Sequence, residues 1–169
     1  MTTPTPAADQ AWGMLASATS EEREASMLRR YRELAALAEG ERVNQMPAMA
    51  RSEYALTDDK LRPFTLSRLR VWLKLESAVA LRISASYDAV MLKMPGREAM
   101  RRVGLVQTLA RDFSPEDEAR LRELVPGVLG AVAPRVAIKR LQEELAQAPA
   151  AAASAKPAKK GGLWPFGKR

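Results

Sequence analysis

The longest apolar stretch of the 169-residue chain covers residues 66–94 and reads LSRLRVWLKLESAVALRISASYDAVMLKM, with neither glycine nor proline. On a helical wheel most of its apolar side chains fall on one side, at the spacing that a packed helix requires. More apolar residues lie among the charges of the opposite side, which is typical of a helix covered by several neighbours. These are Val71, Leu75, Leu81 and Leu92. We therefore predict one long central helix over 66–94, and self-association if Leu75, Leu81 and Leu92 stay uncovered.

Glu76 interrupts the apolar side of this segment, between Trp72 and Val79. A carboxylate in such a place either pairs with a cation or has a raised pKa. We predict a buried ion pair between Glu76 and an arginine of a neighbouring helix. The alternative role is that of a catalytic acid, but no second acid, histidine or cysteine accompanies it.

The residue types that are missing exclude several kinds of chemistry. The chain has no cysteine and no histidine, and 27 Lys and Arg oppose 20 Asp and Glu, for a net charge of +7. Disulfides, metal sites built on Cys or His and histidine-based general bases are therefore excluded. We predict a protein that is not an enzyme and that binds no cofactor or metal. The N-terminal MTTPTPAADQ is not a secretory signal, so we predict a cytoplasmic protein, peripheral to a membrane at most.

Strand patterns are missing and the helix formers Ala, Leu, Arg and Glu dominate, which favours an all-α fold. We predict a single-domain bundle of five to seven helices over residues 11–147, arranged around the helix 66–94. Residues 1–10 are predicted to be disordered. No internal repeat is apparent in the residue types.

Two helix starts have clear capping signals. Thr19 and Glu22 have the spacing of a capping box, so a helix should begin near Ser20. In the segment 114–117, SPED, serine caps the helix, proline suits its first position and the acids suit the positive end of its dipole.

Two prolines, Pro47 and Pro63, predict helix ends, because the residue before a proline disfavours the helical conformation. The first helix should end before Pro47, and a short helix should follow from there to Leu56. Pro63 should break the next turn, so that Thr65 caps the central helix.

The predicted core combines the apolar stripes of these helices. It consists of Tyr31, Leu34, Leu69, Trp72, Leu73, Val79, Ile83, Val90, Val103, Val106, Phe113, Leu121 and Leu124.

Arginines are most concentrated in the predicted helix that follows Gly96. Arg97, Arg101, Arg102 and Arg111 lie away from its apolar stripe. One interpretation is a solvated helix face that also supplies the partner of Glu76. The other is a patch that contacts phosphate or an acidic partner.

The composition changes abruptly at Ala148. Residues 148–162 are rich in Ala, Pro, Lys and Gly, which predicts a flexible linker, and residues 163–169 form an aromatic and basic tip, LWPFGKR. The tip can enter an anionic membrane interface, dock into a groove on another protein or fold back on its own helices. Nucleic-acid contact is a lesser fourth use. The candidate docking residues are Lys159, Lys160, Leu163, Trp164, Phe166, Lys168 and Arg169.

These observations predict a non-enzymatic helical binding or adaptor protein, whose tail docks on a membrane surface or on a larger protein assembly. The alternative is a nucleic-acid-associated protein that uses arginine-rich helix faces and the tail. A helix-turn-helix match near residue 66 is poor, because apolar residues occupy the turns that should read bases. The residues of this alternative are Arg68, Arg70, Lys74, Arg97, Arg101 and Arg102.

Overall fold

The computed structural model describes residues 11–130 together with 139, 142–144 and 146. All regular structure in these residues is helical, which confirms the predicted all-α class. Residues 11–14 are helical and lead into a short 3₁₀ helix, Leu15–Ser17. The α-helices up to residue 130 are α1 (Ser20–Ala36), α2 (Glu39–Tyr54), α3 (Asp58–Lys74), α4 (Ser77–Met91), α5 (Gly96–Ala110), α6 (Pro115–Leu124) and α7 (Pro126–Leu129).

The predicted N-terminal segment 1–10, the linker 148–162 and the tip 163–169 lie outside the described residues. None of the described helices has the length and apolar character that crossing a membrane requires.

Both predicted capping signals are confirmed. The Glu22 amide donates to Thr19 Oγ1 at 3.3 Å and the Thr19 amide donates to Glu22 Oε2 at 3.1 Å, which completes the capping box of α1. At the start of α6 the Asp117 amide donates to Ser114 Oγ at 3.2 Å, with Pro115 as the first helical residue.

The predicted single helix over 66–94 is wrong. Leu75 adopts an extended conformation, with φ −76° and ψ 150°, and separates α3 from α4. Its side chain is only 1% exposed, so burial of Leu75 fixes a helix break that no glycine or proline marks. Glu76 is then the N-cap of α4.

Two of the predicted helix ends are also wrong, because prolines lie inside helices. The first helix ends at Ala36, and Pro47 lies within α2. Pro63 lies within α3, where it removes one backbone hydrogen bond but faces solvent. Thr65 is therefore not a cap but a fully buried residue of that helix.

Successive helices begin at a constant interval, so the chain contains an internal structural repeat that its residue types did not reveal. Helices α1 to α6 begin at residues 20, 39, 58, 77, 96 and 115, each 19 residues after the one before. We call the 19 residues from one helix start to the next N-cap a unit. An apolar residue precedes each N-cap between units: Leu37, Leu56, Leu75, Met94 and Phe113.

Side-chain contacts recur at the same interval. Arg23 Nε donates to Ser67 Oγ at 2.9 Å, and one unit later Arg42 Nε donates to Ser86 Oγ at 2.7 Å. Each pair is 44 residues apart and joins a helix to the second helix after it. The packing of α1 on α3 is thus repeated by the packing of α2 on α4.

These arginines also bind carbonyl groups before their own helices. Arg23 Nη1 donates to the Ala18 oxygen at 3.3 Å, and Arg42 Nη1 donates to the Leu37 oxygen at 2.9 Å. No described residue has positive φ, so the helices lack the left-handed glycine that often satisfies their last carbonyls. Arginine side chains supply part of those hydrogen bonds instead.

The predicted core residues all belong to one buried apolar cluster or pack against it. Leu73, Val79 and Phe113 are partly buried, and the other ten predicted residues are buried. The cluster also contains Trp12, which contacts Tyr31 and anchors the segment before α1.

Two glycines should respond in opposite ways to alanine. A side chain at Gly104, inside α5, would meet nothing within 4 Å, so Gly104→Ala should raise the free energy of unfolding by about 1 kcal/mol. A Cβ at Gly127 would overlap the Asp88 carboxylate, which Arg102 holds at 2.8 Å. Gly127→Ala should therefore cost about 1–3 kcal/mol. Urea unfolding of both variants checks this, and a stabilised Gly127→Ala would contradict the close packing of α7 on α4.

Candidate functional site

Glu76 is not the buried acid that the sequence predicts. Its side chain is 61% exposed and accepts a hydrogen bond from Arg32 at 3.0 Å. A hydrogen bond from its own backbone amide, followed by the bond from Arg32, lowers the pKa of this carboxyl. The predicted arginine partner is present, but on the surface, because Glu76 lies in the break between α3 and α4 rather than inside a helix.

The four arginines of the predicted patch do not share one exposed surface. Arg97 and Arg111 are exposed. Arg101 donates to Asp58 Oδ1 at 2.6 Å and to the Tyr54 oxygen at 2.8 Å, which ties α5 to the end of α2. Arg102 is 4% exposed, so its inclusion in a surface patch is wrong. The predicted docking residues of the tail, from Lys159 to Arg169, lie outside the described residues.

The most unusual polar group of the described part is Glu53. Its side chain and that of Arg68 are both 0% exposed and form an ion pair between α2 and α3. Arg68 Nη1 donates to Glu53 Oε1, and the Tyr87 hydroxyl of α4 donates to Glu53 Oε2. Each oxygen of the buried carboxylate thus has a donor, and the three side chains join three helices. We call Glu53, Arg68 and Tyr87 the buried triad.

Aromatic rings surround the guanidinium group of the triad. The Arg68 guanidinium carbon lies 5.2 Å from the ring centre of Trp72 and 5.1 Å from that of Tyr87. Arg102 lies 5.0 Å from the Tyr87 ring and pairs with Asp88, so α5 joins the same cluster. Cation–π contacts of this kind are strongest where water is excluded.

Burial shifts the ionisation of the tyrosines in this region. It raises the pKa of Tyr54 to about 12, and it also raises the pKa of Tyr31 and of Tyr87 well above the ordinary value. Burial alone would lower the pKa of Arg68, but the charge of Glu53 and the neighbouring tyrosines outweigh it, so that pKa lies above its usual value. The triad therefore contains a permanently charged arginine and a neutral tyrosine.

Chemically, the triad is suited to holding helices together. Both charged side chains are fully buried, so a substrate has no access to them in this structure. Arg68 and Tyr87 place a donor on each oxygen of the Glu53 carboxylate, which links α2, α3 and α4. In the described residues no group of three or more carboxylates is placed to hold a metal ion.

Glu53 was missed because its helix was predicted to begin at Pro47. The observed α2 starts at Glu39, and Met46, Met49 and Glu53 then share one face at helical spacing. That spacing was the available signal of a buried carboxylate.

No family model, curated protein or solved structure matches this chain.

Removing one partner of the triad should be far more damaging than replacing the charged pair. Glu53→Ala leaves Arg68 buried without its counter-ion, which should cost roughly 3–5 kcal/mol of unfolding free energy. The double change Glu53→Leu with Arg68→Met replaces the pair by apolar side chains and should recover most of that loss. Guanidinium unfolding measures both variants.

The matched control is Glu76→Ala, which removes the carboxylate of an exposed pair and should change stability little. If Glu53→Ala is no less stable than Glu76→Ala, the buried triad does not hold the fold together.

The tyrosines predict a loss of stability at alkaline pH. A tyrosine whose folded pKa exceeds its unfolded value of 10.0 stabilises the fold below pH 10, and that stability is lost as the pH rises toward the folded pKa. All three tyrosines of the chain are in this class. Absorbance at the tyrosinate band should therefore stay flat past pH 10 and rise together with unfolding. The chain in guanidinium should titrate near pH 10, and equal curves for both samples would contradict the burial.

Proposed function

We propose that this protein is a non-enzymatic helical binding protein whose basic, aromatic C-terminal tail docks it on an anionic membrane surface or on a larger protein assembly. The proposed arrangement is a single-domain bundle over about residues 11–147, followed by the linker 148–162 and the tip 163–169. The observation that carries this proposal is the division of charge between the helices and the tail.

The positive charge of the chain is concentrated at its C-terminal end. Residues 149–169 contain five cations and no acidic side chain, so they supply +5 of the net +7. The remaining 148 residues have a net charge of only +2. A near-neutral helical part with a strongly basic tail favours contact with an acidic surface through the tail.

Many cations of the helical part are already occupied. Arg68 is buried against Glu53, and Arg70 and Lys74 both pair with Glu24. Arg101 and Arg102 bind Asp58 and Asp88. These contacts weigh against the alternative of a nucleic-acid protein that reads phosphates with the helix faces, because five of its six proposed residues have partners within the fold.

The tip combines the two residue types that hold a protein at an anionic bilayer. Aromatic side chains such as Trp164 and Phe166 settle at the membrane interface, and each Lys or Arg near an anionic surface contributes about 1 kcal/mol. Neither contribution is large alone. A linker that joins this contact to a second one on the helices would raise the effective concentration of the second contact.

Sedimentation with anionic liposomes tests the proposal. The full chain should pellet with vesicles that contain phosphatidylserine, and a chain that ends at Ala155 should stay in solution, because it lacks the five cations and the tip. Trp164→Ala with Phe166→Ala should also abolish pelleting while leaving every charge in place. Met14→Ala is the control, since Met14 is 72% exposed and lies outside the tail.

The other outcomes separate the alternatives. If neither chain pellets at low salt, membrane docking is wrong, and binding of the isolated tail to an assembly becomes the test. If the full chain instead binds duplex DNA with an affinity that falls by orders of magnitude between low and physiological salt, the nucleic-acid alternative is favoured.

A further inference from the structure

One face of α4 exposes apolar side chains that the rest of the described structure does not cover. Leu81 is 44% exposed and Leu92 is 59% exposed. Leu81 lies within α4 and Leu92 is its C-cap, still in helical conformation. The eleven-residue spacing places both on the same side, about 16 Å apart, with the exposed Ala78 and Ala85 beside them. We call these four residues the α4 stripe.

The repeat indicates which position of the chain would correspond to a contact with Leu81. Glu24 of α1 meets Lys74 of α3, and Arg62 of α3 meets Asp112 just after α5, each pair 50 residues apart. The same separation from Leu81 leads to residue 131. In the described residues α6 ends at Leu124 and α7 at Leu129, and residue 131 itself lies outside them.

A second recurring contact is related to the exposure of Leu92. Arg82 donates to the Ala35 oxygen at 2.9 Å and Arg101 donates to the Tyr54 oxygen at 2.8 Å, each pair 47 residues apart. The same separation from Leu92 leads to Lys139. That side chain is 77% exposed, with a 3.8 Å contact to Glu143, and Leu92 stays exposed.

In both recurring contacts the covering side chain comes from later in the same chain. Glu144 lies close to the C-terminal end of α4. Its carboxylate accepts hydrogen bonds from the amide of Gly96, four residues after Leu92, at 2.7 and 2.8 Å. Leu163 follows Glu144 by 19 positions, most of them in the segment predicted to be a flexible linker. A flexible chain of 19 residues spans about 24 Å on average. The α4 stripe therefore lies within reach of the tip.

We propose that the apolar residues of the tip, Leu163, Trp164 and Phe166, dock on the α4 stripe when no membrane or assembly is present. The tip then has two alternative positions: docked on the α4 stripe, or bound to a membrane or assembly. The second is the position in the proposed function, and this part of the inference rests on that function. Docking on α4 removes exposed apolar surface on both sides.

The two positions differ in their electrostatics. The exposed Arg82 and Lys93 flank the α4 stripe and repel the cations of the tip. Salt screens this repulsion, so docking on α4 should be maintained or strengthened as salt rises, whereas attachment to an anionic membrane weakens. An anionic surface is thus able to draw the tip away from α4.

A spin label on the tip tests the proposal without lipid. The chain has no cysteine, so Gly167→Cys gives a single labelling site. Amide signals of residues 78–92 should broaden in the ¹⁵N spectrum of the full chain, at low and at high salt. Leu81→Ser with Leu92→Ser should reduce this broadening severalfold, and Met14→Ser, at another exposed apolar residue, should not.

The proposal is overturned if no broadening occurs on α4, or if the broadening is the same in the Leu81→Ser/Leu92→Ser chain. A mixture of labelled unenriched chain and unlabelled ¹⁵N chain checks the occupant. Broadening there would show that the tip of a second copy occupies the stripe, which contradicts docking within one chain.

Liposome sedimentation of Leu81→Ser/Leu92→Ser gives a second, separate result. A larger fraction of this variant than of the unsubstituted chain should pellet at the same lipid concentration, because its tip no longer docks on the α4 stripe. An unchanged or smaller fraction contradicts the competition. If no variant pellets, the proposed membrane function fails, while the spin-label result still decides whether the tip docks on α4.

Discussion

The fold depends on a carboxylate that has no contact with water. Glu53 is fully buried, and removing an ionised group from water costs several kcal/mol unless every oxygen finds a donor. Arg68 and Tyr87 meet that demand, and they come from the two helices that follow α2. The positions of α2, α3 and α4 are therefore linked through one side chain, and Arg102, over the Tyr87 ring, extends the link to α5.

The buried triad also matters because the rest of the packing is repetitive. Units of 19 residues present similar apolar positions to one another, and contacts such as Arg23–Ser67 and Arg42–Ser86 are equivalent. The triad distinguishes one unit from the next, because the residues one unit before Arg68 and one unit after it are Met49 and Tyr87, and neither carries a positive charge. A pairing displaced by one unit would leave Glu53 without its counter-ion, which is costly for a buried carboxylate.

Local signals in the sequence predicted helix starts better than helix ends. The caps at Thr19 and Ser114 were correct because each depends on a side chain that binds an amide three residues away. The break at Leu75 was missed because it contains no glycine or proline and is fixed by burial of a leucine. Pro47 and Pro63 gave the opposite error, because each predicted a helix end but both lie inside helices. The apolar residue before each N-cap was a usable signal, but only the 19-residue interval reveals it.

The candidate site was harder to predict than the fold, because residue type does not show whether an arginine faces water. Arg68 and Arg70 are two residues apart, yet one is fully buried and the other is exposed beside Glu24. What separates them is the tertiary environment: a buried carboxylate and two aromatic rings for Arg68, and a carboxylate at the solvent-exposed surface for Arg70. The same distinction applies to the whole basic composition. Many arginines of the described helices bind carboxylates and carbonyl groups of the fold, and five of the seven net positive charges of the chain lie in residues 149–169.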